Sequence, residues 1–184
     1  MKTYQTFTLT ILALILFSCN QQPKEIESPE VAFEKDKEGN LWFRNNAFHL
    51  RIDGHFLFKY YDTDSKSINV ANEESVPPFF IMVDGKKVSD FKLDRSEVNE
   101  ESVNTVFGQG KRFVLTGNNP DNTIQQKLTL EFYPEYPNAV ISRVSYTNTG
   151  SDNIRVEEIH SNVYVLDARM TNENNQPFKF WTFQ

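Results

Sequence analysis

Apolar and polar residues alternate with a period of two along much of this chain, most cleanly between Asn122 and Arg169. There Leu128, Leu130 and Phe132 alternate with Lys127, Thr129 and Glu131, the pattern of a strand with one buried face. Tyr133 to Asn138 interrupts it, because Pro134 and Pro137 lack the amide hydrogen a ladder needs. Val140, Val144 and Tyr146 resume the alternation, Asn148 to Asp152 predicts a turn, and Ile154, Val156, Ile159, Val163 and Val165 predict a third strand. This stretch is the scaffold around which the rest is read.

Upstream, Gly39-Asn40 predicts a turn and Leu41 to Arg44 a short strand. Phe48, Leu50 and Ile52 alternate with His49, Arg51 and Asp53. Asp53-Gly54 then predicts a two-residue hairpin turn with positive φ at both central positions, and His55 to Tyr61 the returning strand. Asp62 to Pro78 is polar and predicts a loop. Phe79 to Val83 is a near-continuous apolar run, expected to be covered on both faces, and Asp84-Gly85 predicts a second hairpin into Lys86 to Val88. Phe91 to Val103 is open between one helical turn over SEVNEES and an acidic loop. Val106-Phe107 leads into Gly108-Gln109-Gly110, and Gly117 to Asp121 is a turn. Turn signals recur with no amphipathic helix between the strands, which predicts an all-β, antiparallel β-sandwich.

Composition agrees. Phe, with 16 residues, outnumbers every other aromatic and favours strands. The 184 residues are enough for one domain with a proper core. A net charge of −6 without a basic patch argues against nucleic acid as a partner. The single Cys excludes an internal disulfide framework and a Cys-based zinc site.

That Cys has a distinctive place. Lys2 precedes the apolar run Leu9 to Phe17, which is shorter than the roughly 20 residues a spanning helix needs. The run ends in Leu16-Phe17-Ser18-Cys19, which resembles a bacterial lipobox. The resemblance implies cleavage before Cys19 and acylation of Cys19, giving two or more chains for stable membrane anchoring. Residues 1–19 are thus expected to be a lipoprotein signal peptide. Residues 20–38, polar and broken by Pro23 and Pro29, read as a flexible tether, and 39–184 as the sandwich domain. Asn20 stands where an Asp signals inner-membrane retention in enterobacterial lipoproteins, which favours the outer membrane of a Gram-negative cell envelope.

Candidate chemistry is sparse. Gly108-x-Gly110 has neither a third glycine nor a following helix, so it reads as a turn or bulge and not as a phosphate cradle. His49, His55 and His160 lie far apart and no third zinc ligand can be named for the first two. No cofactor or metal is implied. The carboxylates Asp53, Asp62, Asp64, Asp84, Glu131, Glu157, Glu158 and Asp167 read as solvated charges. Glu157 and Glu158, adjacent on a strand, are expected on opposite faces. Phe178-Lys179-Phe180-Trp181-Thr182-Phe183 is either a packed strand or an aromatic platform for sugars, with Trp181 the candidate substrate-binding residue.

Taken together, Phe107-Gly108-x-Gly110, Phe132-Tyr133-Pro134-x-Tyr136-Pro137, Val140-Ile141-Ser142-Arg143 and Tyr146-Thr147-Asn148-Thr149-Gly150 resemble the N-terminal β-supersandwich of α-galactosidase-type glycoside hydrolases. This galactose-mutarotase-like sandwich grammar extends over about Leu41 to Gln184, with Phe180 to Gln184 similar to an aromatic stretch late in that domain. The resemblance implies a catalytic (β/α)8 barrel following the sandwich, as its partner in a longer chain, and saccharides with α-galactosyl groups as ligands. It assigns no catalytic residue here, because the family's catalytic aspartates belong to the barrel. Three roles are therefore expected: an accessory domain of a lipid-anchored hydrolase, inactive on its own; a free-standing carbohydrate-binding lipoprotein of the cell surface; or a structural envelope module.

Overall fold

The structure, a computed structural model, describes residues 31–61, 63, 67–68 and 77–161. Cys19 and Trp181, with the rest of the signal peptide and the Phe178 to Phe183 stretch, lie outside the described residues. So do Asp62, Asp64 and Asp167. Every regular element described is a strand and every pairing is antiparallel.

Among the described residues twelve strands form three sheets. The first sheet holds β1 (Ala32–Lys35), β2 (Leu41–Arg44), β3 (His49–Ile52), β4 (Phe58–Tyr61) and β5 (Ser67–Ile68), in that order. The second has the order β11-β10-β9-β8, with β8 Lys92–Thr105, β9 Gly108–Asn118, β10 Ile124–Phe132 and β11 Ile141–Asn148. The third has the order β12-β6-β7, with β6 Phe80–Val83, β7 Lys86–Val88 and β12 Val156–His160. β1 pairs with β2 although it falls within the segment whose composition reads as a tether. Phe33 is the reason: its ring packs 5.3 Å from Phe43 and 5.8 Å from Phe113.

The core is a single cluster fed by all three sheets. Leu41, Phe43, Leu50 and Ile52 point in from the first sheet, and Phe113, Leu115, Leu128, Leu130 and Phe132 from the second. Phe43 links the two, 4.9 Å from Phe113 edge-to-face and 5.7 Å from Phe132 stacked. Each such side chain contributes about 1.5–3 kcal/mol by leaving water. The alternation read from the sequence is therefore the inner face of a packed pair of sheets.

Four local expectations are corrected. Asp53-Gly54 does not make a two-residue turn. The Asp53 carboxylate accepts the amides of His55 at 2.8 Å and Leu57 at 3.0 Å, positive φ falls on Phe56, and β4 begins only at Phe58. By contrast Asp84 (φ 48°) and Gly85 (φ 76°) form the expected tight turn. Second, SEVNEES is neither helix nor loop: it lies in the 14-residue β8, laddered to β9 from Val98 to Thr105. Backbone pairing overrides its polar composition. Third, Phe79 to Val83 is not covered on both faces, since Ile81 and Val83 are buried while Phe80 and Met82 are half-exposed. Fourth, Asp62 to Pro78 is not all loop, since Ser67–Ile68 within it pairs with β4. β12 follows β11 in the chain without pairing to it. It crosses to pair with β6, with a bulge between Val156 and Glu158, and leaves Val156 and Ile159 exposed.

Candidate functional site

The hairpin β8–β9 is longer than its neighbours. β10 ends its pairing at Phe132 opposite Lys111, so Gly108 to Gly110 and the facing end of β8 run past it. Along this hairpin the face that is core at Phe113 turns polar one strand-repeat further on. Ser102 stands opposite Lys111 and Asn104 opposite Gln109, four polar side chains in a square. The chain beyond β10 folds back beside this overhang in two turns, Tyr136 N–H to Tyr133 C=O at 2.9 Å and Ala139 N–H to Tyr136 C=O at 3.0 Å.

Between them lies a cleft of about 710 Å³. The polar square forms one wall, and Val31, Asn45, Phe132, Pro134 and Pro137 contribute to the opposite side. Asn45 fixes that side: its amide donates to Pro137 C=O at 2.9 Å and its Oδ1 accepts Ala47 and Phe48 N–H. Asn45 is engaged at both its amide nitrogen and its oxygen, whereas among the described residues no intramolecular hydrogen bond is made by the side chains of Ser102, Asn104 and Gln109. Tyr133 lies on the floor against Gly110, where an added Cβ would stand 2.5 Å from Phe132 C=O and 2.7 Å from the Tyr133 ring. Next to Tyr133, Phe107 packs 5.5 Å from its ring and 6.3 Å from Tyr136, both Phe107 and Tyr136 remaining exposed.

Behind the floor a charge ladder crosses the outer face of the second sheet. Arg112 donates Nη1 to Glu101 and Nε to Glu131, each at 2.8 Å. Arg143 Nη1 donates to Glu131 at 2.6 Å, and Tyr133 donates its hydroxyl hydrogen to Glu131 Oε2 at 2.8 Å. Thr105 donates to the same phenol oxygen at 2.8 Å. Glu131 is 0% exposed, which corrects its reading as a solvated charge. Burial pushes its carboxyl up, but the bonds from Arg143, Tyr133 and Arg112 outweigh this and hold it at about 2. Burial, reinforced by the Glu131 charge, pushes the Tyr133 phenol up.

The other sequence candidates are dispersed. His55 faces Asp90 at 3.4 Å, while His160 bonds Glu158 at 2.6 Å and stacks on Phe80. Glu157 accepts Gly85 N–H and Arg155. No group of three metal-ligating side chains occurs among the described residues. Gly108, with φ 92°, follows the Val106-Phe107 turn, as a turn glycine should. The cleft residues Ser102, Asn104 and Gln109, and Tyr136 near them, carry no functional signal in sequence. The one hint was an apolar pair, Val106-Phe107, at a hairpin tip.

No protein-family model, curated protein or solved structure matches this chain. The likeness to the α-galactosidase supersandwich accordingly rests on the residues quoted for it.

Proposed function

We propose that this domain binds neutral carbohydrate in the cleft between the β8–β9 overhang and the Tyr133 to Pro137 turns. The observation that carries the reading is a combination: amide and hydroxyl side chains of Ser102, Asn104 and Gln109 in the cleft wall, and the exposed rings of Phe107 and Tyr136 grouped next to Tyr133, one of its lining residues. Amides and hydroxyls match sugar hydroxyls in both donor and acceptor roles, and aromatic faces cover sugar C–H surfaces. The volume is that of an ordinary small-ligand site. Lys111 is paired with Glu100 at 2.8 Å, and Arg112 and Arg143 with Glu131, so the neighbouring cations are engaged and an anionic ligand is disfavoured. Glu135 is the one carboxylate among the described lining residues, whereas glycoside hydrolysis ordinarily uses two. Binding is thus the better-supported role for this cleft.

The lipobox at Cys19 supports a lipid-anchored setting in the cell envelope, where the ligand would be an oligo- or polysaccharide, with α-galactosyl groups the first to try. A second reading, an accessory sandwich packed on a catalytic (β/α)8 barrel of an α-galactosidase-like hydrolase, is supported by Val156 and Ile159, apolar residues that β12 holds in solvent. Calorimetric titration of the protein with neutral and uronic-acid oligosaccharides, wild type against Tyr136→Ala, tests the first reading.

A further inference from the structure

At the end of the second sheet away from the cleft, the inner face carries a polar pair in apolar surroundings. Gln126 is 1% exposed, and neither its Nε2 nor its Oε1 has a hydrogen-bond partner in the chain. Directly across the ladder stands Tyr146, whose buried hydroxyl is likewise unpartnered. On the other side of Gln126 the ladder position is Gly117. The Phe56 ring occupies the space there, 2.6 Å from where a Cβ on Gly117 would be. The Phe91 ring packs 5.4 Å from Tyr146. Two register partners on one face thus present an amide donor, an amide carbonyl and a phenol, walled by phenylalanines.

Buried polar groups are nearly always satisfied, by protein or by ordered water. A water molecule needs two to four polar partners, and this pair supplies two donors and an acceptor from the amide and a donor-acceptor from the phenol. An orphaned pair would be replaced by apolar residues at no loss. We propose that Gln126 and Tyr146 hold an internal water site on the inner face of the second sheet. The water bridges β10 to β11 and gives the Gln126 amide and the Tyr146 phenol a shared hydrogen-bond partner. The site is separate from the cleft and independent of its ligand.

The test is a stability cycle on the full chain with Tyr146→Phe, Gln126→Leu and the double variant, followed by thermal unfolding. Each single substitution should lower Tm by roughly 2–8 °C, because it strands the water and the remaining polar group. The double variant should lose less than the sum of the two, because it removes the need for the water. A rise in Tm for either single variant, or strict additivity, overturns the proposal. NMR detection of water–protein cross-relaxation at the Gln126 side-chain amide of the unsubstituted protein gives a reading that needs no variant to fold. A long-lived water signal is expected there, and its absence rules the site out.

Discussion

Glu131 and Tyr133, two residues apart, meet on the outer face of the second sheet, where the phenol hydroxyl donates to the buried carboxylate at 2.8 Å. This contact ties the cleft floor to the ladder of Glu101, Arg112, Glu131 and Arg143. Two arginines and a phenol converge on one carboxylate that water does not reach. Removing that carboxylate leaves the Tyr133 hydroxyl without its acceptor and two guanidinium groups without their partner. Glu131→Ala is expected to cost about 2–4 kcal/mol, since breaking a buried pair strands its partners, moderated here because both arginines are partly exposed. Urea unfolding of wild type and variant measures it. A loss no larger than that for an exposed ion pair such as Lys111–Glu100 would contradict the structural role given to the ladder.

The same carboxylate sets a pH dependence. Its pKa in the folded protein is about 2 against an ordinary 4.5. The folded state therefore binds this proton more weakly than the unfolded state. The stabilisation is complete above the ordinary value and is lost as pH falls from about 4.5 towards 2. Asp36, held low by the Trp42 indole and Asn40, shifts in the same direction. Urea midpoints measured across this range should fall with acidification in the wild type and fall less steeply in Glu131→Gln.

Gly110 allows the cleft to exist. An added methyl group would press on Phe132 C=O, which cannot rotate away, and on the Tyr133 ring. Gly110→Ala is expected to destabilise by about 1–3 kcal/mol, as overpacked sites do, and to push Tyr133 off the floor. Unfolding measurements give the first effect. A shift in Tyr133 ring resonances gives the second. An unchanged melting temperature would show that the close approach is not as drawn.

The turn between Asp84 and Gly85 bears on how the third sheet is held. Positive φ at both positions and the Glu157 carboxylate on Gly85 N–H join β6–β7 to β12. Gly85→Val should cost about 1 kcal/mol or more through the left-handed backbone alone, because open space surrounds that Cβ. Thermal unfolding checks this. A neutral outcome would mean that the turn relaxes without loss.

The inner faces of β3 and β10 were legible because each strand's alternation records a face directly, Leu50 and Ile52 on one, Leu128, Leu130 and Phe132 on the other. Glu131 was not. Its position in the alternation is that of a solvent-facing residue. Arg112 and Arg143, which bury it, lie 19 and 12 residues away and arrive only through strand register. The identical dipeptides Asp53-Gly54 and Asp84-Gly85 diverge for a related reason. Asp53 caps two downstream amides while Gly54 C=O accepts Leu93 N–H and Arg95 lies over Gly54, contacts that no local pattern records. The cleft walls come from β8, β9 and the turns after β10, and the strand character of β8 comes from its pairing with β9. Composition therefore concealed both the element and the site it builds.

In the proposed role saccharide occupies the cleft and reaches the Phe107 and Tyr136 rings next to Tyr133. Isothermal titration of the protein with a series of neutral oligosaccharides, α-galactosides included, tests it most directly when repeated with Tyr136→Ala. Tyr136 is half-exposed, so its loss should leave Tm nearly unchanged. At least one neutral saccharide should bind saturably to the wild type, with Kd about tenfold weaker in Tyr136→Ala, the effect of losing roughly 1.4 kcal/mol of ring contact. No binding to the wild type across the series, or binding that Tyr136→Ala leaves untouched, would contradict the assignment of this cleft.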